Sequence, residues 1–574
     1  MDNKPSLSQY FGDKEVPPAS QFFDEIGTSP SDMVQSIYLG EPEGNVSANQ
    51  TTTNNLFPQN MSVSFTQHKT SEEMTFTNVL PTVSGSTAVP AASLPDPSTF
   101  FDTIGPEPQI APTKPSIATP TVLAEAMDGL SIKNQPVDKE ADRRRDAWIP
   151  NDEAKKTLMK AQSSPKGSFF PEREVLTMPG LILEEELADA LQEVAVKYLG
   201  VSSAGSRGVV RAEHVSRDEA GLRELLRTGY LRAAINLTHV LISAAGQGVG
   251  RMHRPTKHTP RSLQLWLTRF AVMLRIKLTD PLLKEAEPFG DFSKPDMFYE
   301  FYPDSYDNRT GSLVPFSLRL LVAELPAHVG KPDEAVDRLY AMLDVIQTML
   351  SNLREGKTED GSATITETDK TESIRLWMGR ETRVMHSLVN CAIAMKDYRQ
   401  AARILSTLQQ QASSAGARRA ACSALCRLWL LAGHVRAATA CLDAARDARH
   451  HICPTPDVRE YVDMGLIDIA HGKYQDAYNN FARAADQEPT NIMVANNLSV
   501  CLLYMGRLKE AIAVLQKAIN SDPERGLNES LLINLCTLYE LESSKTNEKK
   551  LNLLRMLCKY KSDTIPNVLE CLKL

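Results

Sequence analysis

The sequence predicts an all-α protein, a solenoid of stacked helix pairs preceded by a long disordered N-terminal region. Three observations carry this expectation. Residues 458–525 hold two blocks that superimpose at an offset of 34 residues: Gly472 falls on Gly506, Ala477 on Ala511, Phe481 on Leu515, Ala484 on Ala518 and Pro489 on Pro523. After residue 140 apolar residues recur at helical spacing. Before that point Pro, Ser, Thr, Asn and acid dominate, with 16 of the 34 prolines. Such a composition cannot bury enough apolar surface to offset its ordering entropy.

One block reads as two antiparallel helices. In the second block the first helix covers residues 493–504 and the turn is Met505-Gly506-Arg507, where glycine can take positive φ and end the helix. The second helix covers residues 509–520 and is stopped by Asp522-Pro523. Ala511, Leu515 and Ala518 share one face, and the small residues let the first helix approach closely. A pair this short must stack on neighbours to bury its apolar stripe. The pattern resembles the tetratricopeptide repeat.

The 574 residues carry a net charge of −8, unevenly placed. Residues 1–140 hold 17 acids against six lysines and no arginine, which leaves +3 for the remainder. A nearly neutral body with interspersed signs offers no stripe for nucleic acid. The nine cysteines all fall at Cys391 or beyond, in apolar helical stretches. That suits buried thiols in a reducing cytosol better than a disulfide framework. No apolar leader opens the chain and no run approaches 18 uncharged apolar residues. A cytoplasmic protein is expected, its membrane contact peripheral or through a partner.

Within residues 1–140 two aromatic islands repeat: Ser20-Gln21-Phe22-Phe23-Asp24-Glu25-Ile26-Gly27 and Ser98-Thr99-Phe100-Phe101-Asp102-Thr103-Ile104-Gly105. Paired aromatics followed by acid and Ile suit a peptide that docks in a groove. Phe22, Phe23, Phe100 and Phe101 are therefore candidate partner-binding residues. Residues 141–286 read as an N-terminal helical region. Arg143-Arg144-Arg145 is expected to be a solvated helix face, and Trp148 an anchor on the body. Residues 183–199 read as one amphipathic helix, with Leu183, Leu187, Leu191, Val194 and Tyr198 on its stripe. Gly246-Gln247-Gly248-Val249-Gly250 follows an apolar helix rather than a strand and lacks Gly-Lys-Ser/Thr, so it reads as a flexible connector and not a phosphate loop. Residues 262–278 form an amphipathic helix.

Residues 287–316 break the periodicity. Phe289, Phe292, Phe298, Tyr299, Phe301, Tyr302 and Tyr306 interleave with prolines that forbid a long helix. An ordered segment packed along the solenoid is expected, with a partner surface as the alternative. Phe298, Tyr299 and Tyr302 are its candidate contacts. Several irregular runs are specific: Glu287-Pro288-Phe289-Gly290, Pro295-Asp296-Met297-Phe298-Tyr299-Glu300-Phe301-Tyr302-Pro303 and Arg309-Thr310-Gly311-Ser312-Leu313-Val314-Pro315-Phe316-Ser317. With Asp142-Arg143-Arg144, Asp146-Ala147-Trp148 and Ser262-Leu263-Gln264-Leu265-Trp266 they resemble the subunit-12 family of the transport protein particle (TRAPP) complex, from about residue 142 onward. The resemblance implies a non-catalytic scaffold in a multisubunit tether and Rab guanine-nucleotide-exchange complex. That complex serves transport from endoplasmic reticulum to Golgi and autophagy, and the exchange chemistry lies in other subunits. The implied partners are the eighth, eleventh and thirteenth subunits, with vesicle coat or tether proteins as candidates for the Phe-Phe motifs. The implied location is peripheral, at the Golgi and the intermediate compartment.

Residues 317–574 read as the solenoid proper. Pro326 should kink or shorten its first helix, residues 355–371 should form a polar surface loop, and residues 549–561 should cap the stack. Cys422 and Cys426 lie one helical turn apart and read as core rather than zinc ligands. No nucleophile–base pair, Walker lysine or Gly-x-Ser-x-Gly elbow appears, so neither catalysis nor a cofactor is expected. Asn497 and Tyr504 are candidate binding residues on the first helix of a pair. Asn497 suits a carboxylate clamp of the kind chaperone adaptors use, but convergent Lys or Arg is missing. A hydrogen bond between helices is the favoured role for Asn497.

Overall fold

The computed structural model describes residues 139–574 apart from 166–167, 202–206, 307–308, 413, 451–454, 544–545 and 564–567. The Phe-Phe motifs at Phe22-Phe23 and Phe100-Phe101 lie outside the described residues. Among those described the chain is all-α, with isolated bridges but no strand.

The N-terminal body is built from α1 (Lys139–Asp146), α2 (Asp152–Ser163), α3 (Ala190–Leu199), α4 (Glu219–Thr228), α5 (Leu231–Ala244), α6 (Pro260–Arg275) and α7 (Thr279–Ala286). Its centre is α6. Thr259 and Ser262 form a reciprocal capping box at its start, and Trp266, Phe270 and Phe289 make one aromatic cluster on its face. Arg269 and Glu285, both fully buried, form a bidentate ion pair at 2.6 and 2.9 Å.

The helix expected over residues 183–199 starts only at residue 190. Glu285 accepts from the N–H groups of Ile182 and Leu183, and Asn236 bonds both the N–H and the carbonyl of Leu187. These tertiary partners hold the backbone extended until Asp189 caps α3. The glycine-rich stretch is no flexible connector either. Gly248 accepts from the N–H of Leu181, and buried Gln247 takes a hydrogen bond from Trp266 and contacts His258.

The arginine triplet is not a solvated face. Arg143 pairs with buried Glu359, and Arg144 with Asp369 and Glu372. Arg145 pairs with Asp142 and Asp146. The Arg144 pairs seat α1 on a later helix, the Arg143 pair draws Glu359, part of the expected polar surface loop, into the interior, and the Arg145 pairs stay within α1. Trp148 is the anchor expected. It lies against Trp377 and under the guanidinium of Arg319, whose centre is 4.3 Å from its ring.

The stack continues through α8 (Phe316–Glu324), α9 (Pro332–Arg354), α10 (Glu367–Ala394), α11 (Tyr398–Gln411), α12 (Ala415–Leu431), α13 (Val435–His450), α14 (Val458–Ala470), α15 (Tyr474–Gln487), α16 (Ile492–Tyr504) and α17 (Leu508–Ser521). After the one-turn α18 (Pro523–Gly526) come α19 (Glu529–Glu542), α20 (Asn547–Tyr560) and α21 (Val568–Leu572). As expected, Pro326 ends α8 and the chain proceeds as a 3₁₀ turn. Turns within pairs close on a left-handed residue, among them Gly433, Gly472 and Gly506. In the pair α14–α15 the close approach is extreme. A Cβ on Gly465 would stand 2.7 Å from the ring of Phe481.

The last helices do more than cap the stack. α20 packs on α3, and Leu191, Val194 and Tyr198 join the C-terminal core cluster. Arg207, ion-paired with Asp189, donates to the carbonyls of Cys558 and Lys561. Asp563 accepts from the N–H groups of Leu231 and Arg232, so it caps α5 from the far end of the sequence. Ser562 donates to the carbonyl of Gly229. The solenoid thus closes on its own N-terminal body. Asp563→Ala should cost about 1–2 kcal/mol locally, read as faster hydrogen exchange in α3 and at the start of α5, with α12 and α13 unchanged. Equal acceleration everywhere, or none, would count against a latch at this residue.

Candidate protein-interaction surface

The first helices of successive pairs are linked by polar contacts. Ser423 donates to Asp463 at 2.5 Å and Arg427 pairs with the same carboxylate at 3.0 Å. Burial pushes the Asp463 carboxyl up against the pull of Arg427. Arg419 pairs with Asp457. Two helices on, Asn534 donates to Asn496 at 2.7 Å.

Asn497 is not the hydrogen bonder expected; its neighbour Asn496 is. Asn497 is fully buried, and neither its amide nitrogen nor its oxygen has a partner. Helix register supplies the reason. Asp463 and Asn497 are each the sixth residue of their helices, α14 and α16. The partners of Asp463 are the ninth and thirteenth residues of α12, Ser423 and Arg427. The same positions of α14 hold Leu466 and Ala470, which have no polar group to offer. An orphaned buried amide group costs about 1–3 kcal/mol. A carboxylate clamp would need cations here, yet Arg419 and Arg427 are held by Asp457 and Asp463. Tyr504 is half-buried and stacks on Tyr474, with ring centroids 4.9 Å apart and planes within 9°.

The structure places the aromatic insert mainly inside. Phe298 and Tyr299 are 0% and 2% exposed, which leaves them no face for a partner. The Tyr299 hydroxyl donates to Asp146 at 3.1 Å, and Arg309 lies 4.3 Å above its ring. Gly311, at φ 108°, brings the insert so close to α1 that a Cβ would meet the carbonyl oxygen of Asp146 at 2.6 Å. Tyr302 is half-buried; its hydroxyl accepts from the N–H of His258, and its ring packs on Phe301 and Tyr306. Of the three, only Tyr302 reaches the surface.

Sequence reasoning passed over a third Phe-Phe pair. Phe169 packs edge-on against Phe301 at 5.9 Å, while Phe170 is 86% exposed. The repeated dipeptide was the available signal. No helix among the described residues is long and apolar enough to cross a membrane.

Stacked antiparallel pairs, left-handed turn residues and small residues at the close approaches define a helical-repeat protein of the tetratricopeptide type. The tetratricopeptide repeat profile itself matches residues 468–528. Over 437 residues, 76% of its length, the chain is 35% identical to "Trafficking protein particle complex subunit 12" of mouse. It is 34% identical over 441 residues to the protein of the same name from human. By sequence, then, the chain is a tetratricopeptide-repeat relative of trafficking protein particle complex subunit 12. It spans 54% and 59% of the length of those two relatives. Among solved structures, the tetratricopeptide-repeat domain of P58(IPK) aligns at 14% identity over 61% of this chain and 94% of its own. The TM-score of that superposition is 0.15.

Proposed function

We propose that this chain is a non-catalytic scaffold subunit of a TRAPP-type tethering and Rab exchange complex, acting in transport from endoplasmic reticulum to Golgi and in autophagy. The observation that carries the reading is the likeness to subunit 12 across 76% of the chain. The structure is compatible with it in a specific way. Stacked helices give a broad rigid surface, and closure of the stack on α3 and α5 fixes the positions of everything attached to it. The candidate partners remain the eighth, eleventh and thirteenth subunits, with coat or tether proteins proposed for the Phe-Phe motifs and peripheral attachment at the Golgi and intermediate compartment.

Affinity capture of the full chain from cytosol, read by mass spectrometry, tests this. Recovery of those subunits is expected. Recovery of chaperones of the Hsp70 or Hsp90 class without any complex subunit would instead support a clamp-type adaptor. Captured subunits that survive replacement of Phe22, Phe23, Phe100 and Phe101 by alanine, while coat proteins are lost, would assign the motifs separately from the body.

A further inference from the structure

Residues 398–442 contain six arginines, one histidine and no acidic residue. Arg419 and Arg427 are held across the stack by Asp457 and Asp463. The other four, Arg399, Arg403, Arg418 and Arg436, are exposed. Arg399 and Arg403 stand one turn apart at the start of α11, and Arg436 stands at the start of α13. Antiparallel pairing brings the starts of α11, α13 and α15 to one edge of the stack. Lys396, His434 and Lys473, in the turns leading into those helices, are exposed there as well.

Little on this edge compensates the charge. Asp397 caps α11 through the N–H of Gln400, Asp476 is the acid in the first turn of α15, and Asp468 at the end of α14 accepts from Asn480 and faces Lys473, so the carboxylates gather at the α15 end and leave the arginines of α11 and α13 less compensated. On the neighbouring side, where Gln400 bonds Tyr340, α9 turns acidic, with exposed Asp333, Glu334, Asp337 and Asp344. The positive strip is therefore bounded, and it begins where α9 gives way to α11.

We infer that this arginine edge is a docking surface for the acidic N-terminal segment of the same chain, residues 1–138. That segment carries 16 acidic residues against five lysines and no arginine. It joins the body at α1, which Arg144 fixes to Asp369 and Glu372 at the start of α10. The edge lies at the other end of α10, whose 28 residues span about 42 Å. Roughly 12 extended residues cover that distance, so 138 residues reach it with ample slack. A tether holds such a segment at about millimolar effective concentration. Weak, salt-screened contacts then suffice for substantial coverage. The guanidinium forks suit carboxylates better than lysines would.

The test is arginine footprinting of the purified full chain with phenylglyoxal, read by peptide mass spectrometry. Arg418, exposed at the opposite edge, is the internal reference. At about 50 mM salt Arg399, Arg403 and Arg436 should be modified at least about twofold more slowly relative to Arg418 than at about 500 mM. The difference should vanish when the 16 acidic residues of 1–138 are replaced by their amides. An unchanged ratio between the two salts would overturn the inference. So would protection that persists in the amide variant. Protection that falls on dilution would also overturn it and assign the edge to a second copy, because a tethered contact is independent of concentration.

Discussion

Glu285→Ala will destabilise the N-terminal body by about 3–5 kcal/mol, because it leaves the Arg269 guanidinium charged and unpaired in a site without solvent. Both side chains are fully buried, and Glu285 also accepts from the N–H groups of Ile182 and Leu183. Removing it therefore strands a cation and two backbone donors together. Arg269 keeps only the carbonyl of Ile235 and the hydroxyl of Thr238. Opening of α5, α6 and α7, followed by native-state hydrogen exchange, should rise accordingly, with α14 to α17 nearly unaffected. Replacing Arg269 by Met together with Glu285 by Leu should recover part of the loss, since an apolar pair carries no desolvation penalty. A loss under about 1 kcal/mol in the single variant would mean that water reaches the pair.

Acid should loosen the middle of the chain through two histidines. His328 and His386 are buried in the segment from α8 to α10, and burial lowers both to about 4. The Nδ1 of His386 lies 2.7 Å from the carbonyl of Thr382, and the carbonyl can only accept, so that nitrogen carries the proton of the neutral ring. The sign follows from linkage. The unfolded imidazole takes a proton near its ordinary value of about 6.5, and the folded one resists until about 4. Stability is full above that ordinary value and falls as pH drops through the window. At about pH 5 each histidine removes about 2 kcal/mol, and the two together about 4. Asp563 works in the opposite sense. Burial raises it to about 6, so protonation on acidification relieves a cost and partly offsets the loss. The discriminating measurement is a comparison with His328→Gln plus His386→Gln. Its loss of stability in α8 to α10 between about pH 7 and about pH 5 should be smaller by about 4 kcal/mol. An identical loss in both proteins would remove the histidines from the explanation.

Local features were legible and long-range ones were not. The 34-residue offset located Gly472, Gly506 and the small residues beside them because each obeys a rule satisfied within one helix pair. Pro326 and Trp148 were legible for the same reason, one through backbone geometry and one through an aromatic that follows a charge run. Leu183 and Leu187 misled because their spacing is helical while their backbone partners, Glu285 and Asn236, lie 102 and 49 residues away. Arg143 misled because Glu359, its buried partner, is 216 residues distant. Asn497 is a subtler failure. Its repeat position was right, but its partner depends on what the preceding helix happens to carry, and Leu466 and Ala470 carry nothing polar. The candidate contacts Phe298 and Tyr299 illustrate the limit of composition. Aromatic density signals burial of large rings, and it does not say whether the burial is against this chain or another.

Closure by Asp563 also sets a clock for synthesis. Helix α5 begins at Leu231, and its cap arrives 332 residues later. At about 5–20 residues per second a ribosome needs roughly 15 to 70 s to cover that interval. Until residues 547–563 have been made, the donors at Leu231 and Arg232 lack the Asp563 carboxylate, and the face of α3 that carries Leu191 lacks its cover from α20. The nascent chain therefore presents an apolar patch and an open helix end until translation is nearly over. An aggregation-prone or chaperone-bound intermediate is expected at that stage, and a stalled chain ending before residue 547 should retain it.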